Sequence, residues 1–234
     1  MPFPRFGTPF SARRKFATPS DTFTEYGERF RRIRQTIRDD GQQEQGGKAV
    51  QFAMDLNEAV TGSVRIYEGR IINLRVDDVT LPDGKSSKRE VIEHGGAVAI
   101  VPMADHDTVI LVRQFRLPAG GLLLEIPAGG IEKGENPETC ARRELAEEIK
   151  QVPETLIPLY EAFVAPGYTT EKIYGFLALN LSDAPEDGDE DEFVEIVPMP
   201  LTEAIAAITT GEIQDMKTIA GLTLAARWRE ANRK

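Results

Sequence analysis

The chain has 234 residues, 41% hydrophobic and 28% charged. That balance excludes a disordered or fibrous protein, and the length suits one large domain or one domain plus an accessory segment. No apolar run reaches the roughly 18–20 residues that span a bilayer, and a single cysteine, Cys140, excludes a disulfide framework or a multi-cysteine zinc site. With 38 Asp+Glu against 28 Lys+Arg the net charge is −10, which argues against broad nucleic-acid binding and makes a bare polyphosphate an awkward ligand unless a metal ion mediates.

The charge is unevenly spread. Residues 1–40 hold nine Lys/Arg and five Asp/Glu, and the first twenty residues contain no acid. This basic arm reads as a flexible extension or, alternatively, an organelle transit peptide; the protein is expected to be cytoplasmic in the first case and organellar in the second. Phe23, Tyr26, Phe30, Ile33 and Ile37 follow at helical spacing, and GQQEQGGK at 41–48 reads as a linker. A β-branched run over 65–79 predicts strand, and Leu81-Pro-Asp-Gly84 predicts a turn. Strands are expected at 90–93, 97–102, 108–113, 122–126, 157–164 and 172–179. Asn136-Pro137 opens a helix that runs to about Lys150, and two more helices are expected near 201–209 and 218–230. This order implies a mixed α/β domain over roughly 60–234, after an N-terminal extension that ends near residue 47.

The helix after Asn136 carries the chemistry. At about 100° per residue, Glu144, Glu147 and Glu148 fall within an arc of roughly 100°. Three like charges there repel, so solvent or a cation must absorb the repulsion. Ala141, Leu145 and Ile149 form the adjacent apolar stripe, so the carboxylates border the core. Gly129, Gly130 and Gly134 allow a tight loop whose backbone carbonyls approach the cluster, and Glu135 is placed to return to Arg143. Only oxygen ligands are offered, which favours a hard cation such as Mg²⁺ or Mn²⁺. His94 and His106 lack metal-ligand spacing and read as ordinary surface or loop histidines. Cys140 reads as a small, semi-buried residue.

Gly129-x5-Glu135-x7-Arg143-Glu144-Leu145-x-Glu147-Glu148 resembles the Nudix box, taken over 129–151. The family pattern continues with x, glycine and an aliphatic residue; this chain has Ile149, Lys150 and Gln151. A lysine in place of that glycine predicts altered loop geometry at the helix end, with the metal-ligand positions untouched. Val112-Arg-Gln-Phe-Arg116, Glu125-Ile-Pro-Ala-Gly129, Ala165-Pro-Gly-Tyr-Thr-Thr-Glu171 and Gly211-Glu-Ile-Gln-Asp-Met-Lys-Thr-Ile-Ala-Gly221 resemble the ADP-ribose pyrophosphatase branch of that family.

The resemblance implies a Nudix-type α/β/α sandwich with a mixed sheet over 48–234, its N-terminal β segment at about 63–95. By similarity, Glu144, Glu147, Glu148 and the carbonyl of Ala128 would hold Mg²⁺ or Mn²⁺. Glu144 and Glu148 would be catalytic, Arg143 would hold Glu135 as structural support, and Arg116, Gly129 and Glu171 would form the substrate side. The general base would come from the acidic run 186–192, with Glu190 favoured over Glu192 or Asp189. The implied reaction is hydrolysis of a nucleoside diphosphate sugar, ADP-ribose to AMP and ribose 5-phosphate. Another such sugar, GDP-mannose for example, and a non-catalytic nucleotide-binding module are the alternatives. The resemblance also implies a homodimer built through the N-terminal sheet, with no nucleic-acid or membrane partner. Residues 125–148 carry a net charge of −4 and residues 183–195 a net −8, which leaves the rest of the chain at +2, so the net acidity is concentrated in the two segments this reading places around metal ions.

Overall fold

The computed structural model describes residues 55–184 and 193–232. The basic arm, the amphipathic stretch 23–37, the linker, and the acidic run 186–192 with Glu190 lie outside the described residues.

Three antiparallel strands come first: β1 (Ala59–Glu68), β2 (Ile72–Thr80) and β3 (Ser86–His94), in the order β1-β2-β3. The β-branched run 65–79 is therefore a hairpin and not one strand. Gly69 makes the reversal, its N–H donating to the Ile72 carbonyl at 3.1 Å. Leu81–Gly84 turns as its composition predicts, with Gly84 at φ 82.

Two further sheets form the body. β4 (Ala97–Pro102), β7 (Ala128–Gly130), β8 (Gln151–Phe163) and β9 (Lys172–Asp183) pair in the order β7-β4-β9-β8, with β4 and β9 parallel. β5 (Thr108–Arg116), β6 (Gly121–Glu125) and β10 (Val194–Pro200) pair antiparallel as β10-β5-β6. Strand β8 begins six residues before its sequence expectation. Pro153 and Pro158 are tolerated there because β8 is an edge strand. Strand β10 was not legible; its Pro198 and Pro200 also lie on an edge.

Helix α1 (Pro137–Ile149) covers one face of the central strands, and α2 (Leu201–Thr210) with α3 (Met216–Ala231) covers the other. The alternation of side chains along a strand sets this up. Val98 and Ile100 of β4 pack with Ala141, Leu145 and Ile149 of α1, whereas Ala99 and Val101 pack with Ala204, Leu222 and Ala225 of α2 and α3. Both faces of β4 are buried, which explains its unbroken apolar sequence. The result is the α/β/α sandwich. No helix among the described residues is long and apolar enough to cross a membrane.

Candidate active site

Helix α1 starts as its sequence dictates. The Asn136 side chain accepts from the Thr139 N–H at 2.9 Å, and Pro137 occupies the first turn, where its missing N–H costs nothing. The apolar stripe of Ala141, Leu145 and Ile149 is buried, and this sinks the neighbouring glutamates. Glu144 is 5% and Glu148 4% exposed. At the other end Lys150 adopts the left-handed conformation, φ 58 and ψ 33. Altered geometry was expected here; instead the lysine keeps the backbone angles a glycine would take. Its Nζ donates to the Glu147 carbonyl at 3.0 Å, occupying one of the acceptors a helix C-terminus leaves open.

The segment before the helix is partly a strand, since Ala128–Gly130 forms β7 against β4. This edge brings Gly129 against the helix. A β-carbon there would lie 2.0 Å from the Glu144 carboxylate, so any other residue would have to displace it. Gly134 turns the chain at φ 88.

Arg143 organises the cluster. Its Nε and Nη2 donate to the two Glu135 oxygens, each at 3.0 Å. Nη1 donates to Glu144 at 2.7 Å and Glu147 at 2.9 Å, and Nη2 also reaches the Gly130 carbonyl at 3.1 Å. Arg143 hydrogen bonds hold the Glu135 carboxyl down at about 2. The Cys140 thiol donates to the same Gly130 carbonyl at 3.4 Å and is fully buried, not half-buried. Burial, with Glu144 nearby, pushes this thiol up to about 12.

Arg116 ends β5 and pairs with a residue the sequence reading gave no role. Its Nη2 donates to Glu125 at 2.7 Å, and Lys217 Nζ reaches the same oxygen at 2.8 Å. Glu125 is 2% exposed. Burial opposes its ionisation, yet the bonds from Arg116 and Lys217 outweigh it and hold the carboxyl below the usual range. The Glu125 hydrogen bonds in turn raise Arg116, with Glu148 and Asp215 adding to the effect, so Arg116 lies in the field of the carboxylate helix. A glutamate in the apolar run Leu-Leu-Leu-Glu-Ile was the available signal, because such a residue is buried only when paired.

Glu171 belongs to a neighbouring group. Its Oε1 lies 4.0 Å from His94 Nδ1, which accepts from the Gly96 N–H at 3.1 Å. His94 is thus a largely buried residue at the end of β3, neither surface nor loop, and His106 is exposed. The Gly96 carbonyl accepts from Ile131 N–H at 3.1 Å, which ties this group to the loop before α1.

The acidic side chains here offer oxygen donors only, which suits a hard divalent cation. Among the described residues no three His, Cys, Asp or Glu side chains already converge as a metal cage; Arg143 holds one oxygen each of Glu144 and Glu147.

Comparison with known proteins agrees with this geometry. The NUDIX domain family matches residues 93–221, and the nucleoside diphosphate sugar hydrolase N-terminal domain matches residues 58–92, the segment of the first sheet. The chain is 42% identical over 165 residues to an ADP-ribose pyrophosphatase of Bacillus subtilis, spanning 70% of this chain and 89% of that protein. It is 40% identical over 147 residues to a GDP-mannose pyrophosphatase of Yersinia enterocolitica, spanning 58% and 76% respectively. A solved structure described as an ADP compounds hydrolase superposes with a TM-score of 0.67 at 24% identity, covering 74% of this chain and 95% of that one, which speaks for the fold. With its complete set of box carboxylates on a helix of this sandwich, the chain belongs to the Nudix hydrolase family.

Proposed function

We propose that the protein hydrolyses the diphosphate bond of ADP-ribose, giving AMP and ribose 5-phosphate, with divalent metal ions. The observation that carries this reading is the placement of Arg116, held by Glu125, within the field of Glu148. A guanidinium beside a carboxylate helix presents a phosphate-binding group next to a cation-binding one. Glu144, Glu147, Glu148 and the Ala128 carbonyl would hold the ions. When bound, these supply charge neutralisation and a more acidic water. Arg143 keeps Glu144 and Glu147 oriented through its bonds to both. Arg116 would bind the diphosphate through the edge not used by Glu125, and Glu171 would lie at the terminal ribose. A carboxylate of 186–192, Glu190 first, would accept the proton of the attacking water.

GDP-mannose is the second reading, favoured by the Yersinia relatives. A panel of nucleoside diphosphate sugars with Mg²⁺ or Mn²⁺, phosphatase and phosphate detection separates the two. Turnover of none of them would overturn both. Glu148→Gln is expected to lower turnover at least a thousandfold with the fold intact; retained activity contradicts the metal assignment.

A homodimer is part of the proposal. Val64, Ile66 and Tyr67 of the edge strand β1 are exposed, which supports packing of that sheet on a second copy. Light scattering after size exclusion should give twice the 25.9 kDa chain mass.

A further inference from the structure

We propose that Lys217 is a positioning residue for Arg116: by sharing the buried Glu125 carboxylate, it sets how much of the arginine's charge and hydrogen bonding is left for a diphosphate. This rests on Arg116 being the diphosphate contact.

Four observations carry the inference. First, Glu125 is buried, and its Oε2 receives Arg116 Nη2 and Lys217 Nζ at nearly equal distances, 2.7 and 2.8 Å. Second, Lys217 is itself only 14% exposed and is held on its other side by Asp215 at 3.0 Å. Third, its segment is held from β8 and from the link between β6 and β7. The Tyr160 hydroxyl of β8 donates to the Lys217 carbonyl at 3.2 Å, and the Ile126 N–H donates to the next side chain, Thr218, at 2.9 Å. Fourth, the start of α3 is capped by Asp215, which accepts from the Thr218 N–H at 3.0 Å. The segment Asp215–Thr218 thus presents an ammonium group, backed by Asp215, to a carboxylate 92 residues away in sequence.

The physical consequence follows from competition. A buried carboxylate with one cation draws that cation fully onto itself, whereas one with two holds each less completely. Arg116 gives Glu125 its Nε and Nη2, leaving Nη1 and the outer Nη2 hydrogen for an anion. Without Lys217, Glu125 would pull the guanidinium inward, and the diphosphate would meet a neutralised pair.

The test uses the full chain and four variants: Lys217→Met, Lys217→Arg, Arg116→Ala and the double variant Arg116→Ala/Lys217→Met. Readouts are KM and kcat for the best substrate of the panel, calorimetric binding of ADP as a diphosphate probe, and thermal unfolding. Lys217→Met should raise KM and weaken ADP by about tenfold, the loss of one charge-assisted contact, with kcat within about threefold. Lys217→Arg should restore KM, and Lys217→Met should add little once Arg116 is gone. Wild-type KM and ADP affinity in Lys217→Met, with Arg116→Ala impaired, overturns the positioning role alone. Wild-type behaviour in Arg116→Ala overturns the reading on which it rests. A full tenfold effect of Lys217→Met in the Arg116→Ala background, or lower kcat and stability at unchanged KM, also overturns it. Lys217→Gln, which keeps a donor without the charge, replaces Lys217→Met should that variant fail to fold.

Discussion

Gly129→Ala should separate folding from catalysis. Gly129 is not at positive φ, so alanine fits the backbone without strain. Its β-carbon does not fit the space. It would lie 2.0 Å from Cδ and Oε1 of Glu144 and 2.1 Å from Oε2, against 3.4 Å for an ordinary contact, so the carboxylate must retreat by about 1.4 Å. Glu144 has nowhere easy to go. It is buried, and Arg143 holds its Oε1 at 2.7 Å. Overpacking of this kind costs about 1–3 kcal/mol, or roughly 2–4 °C of Tm per kcal/mol in a domain of this size. Displacing a catalytic group by about 1 Å costs on the order of a hundredfold in rate. The assay is kcat/KM beside thermal unfolding, with Gly130→Ala as the control. A β-carbon at Gly130, one residue on, meets nothing within 4 Å, so that variant should match the wild type. Gly129→Ala with activity within threefold of wild type, or Gly130→Ala equally impaired, would refute the steric argument.

Glu135, held by Arg143 at about 2 against its ordinary 4.5, contributes stability that is present above pH 4.5 and lost as pH falls towards 2. Glu135→Gln should therefore flatten the acid limb of a stability-against-pH curve in that window; an unchanged limb contradicts the pairing. Cys140, buried and with its thiol pushed up to about 12, should resist a thiol reagent at pH 8 until the protein is unfolded. Rapid labelling of the native protein would show that the helix opens. Lys150→Gly removes a strained left-handed lysine but also its bond to the Glu147 carbonyl, so urea unfolding should register a gain below about 1 kcal/mol with activity unchanged. A tenfold loss of activity would mean that Lys150 does more than close the helix.

What could be read from the residues was what local rules control. The start of α1 follows from Asn136-Pro137, its buried stripe from spacing, and the Glu135–Arg143 return from the length of the intervening turn. β4 was legible because both its faces are buried and its sequence is continuously apolar. Most of the misses share one cause, that the deciding partner is remote in sequence; the hairpin inside 65–79, whose contact is local, is the exception. The edge strand β10 contains two prolines and pairs with β5, more than eighty residues earlier. The hairpin inside 65–79 turns on a single glycine whose N–H is taken by Ile72. Lys150 takes left-handed angles while its carbonyl receives the N–H of Ala184, just past the end of β9, at 2.9 Å. Glu125 and Lys217 lie in stretches quoted for their resemblance, yet neither segment alone reveals that they meet.

That meeting also changes how the acidity of the site is balanced. Glu125, Glu135, Glu144, Glu147 and Asp215 are five carboxylates in contact with three cations, Arg116, Arg143 and Lys217. Arg116 and Lys217 offset Glu125 and Asp215, so the pairs from outside the box leave its own charge unchanged. Arg143 answers Glu144 and Glu147, and Glu148 acts on Arg116. A diphosphate would add further negative charge to the same place. One or two divalent cations would offset that charge in the form that oxygen donors bind best, which is the electrostatic case for the metal ions proposed above.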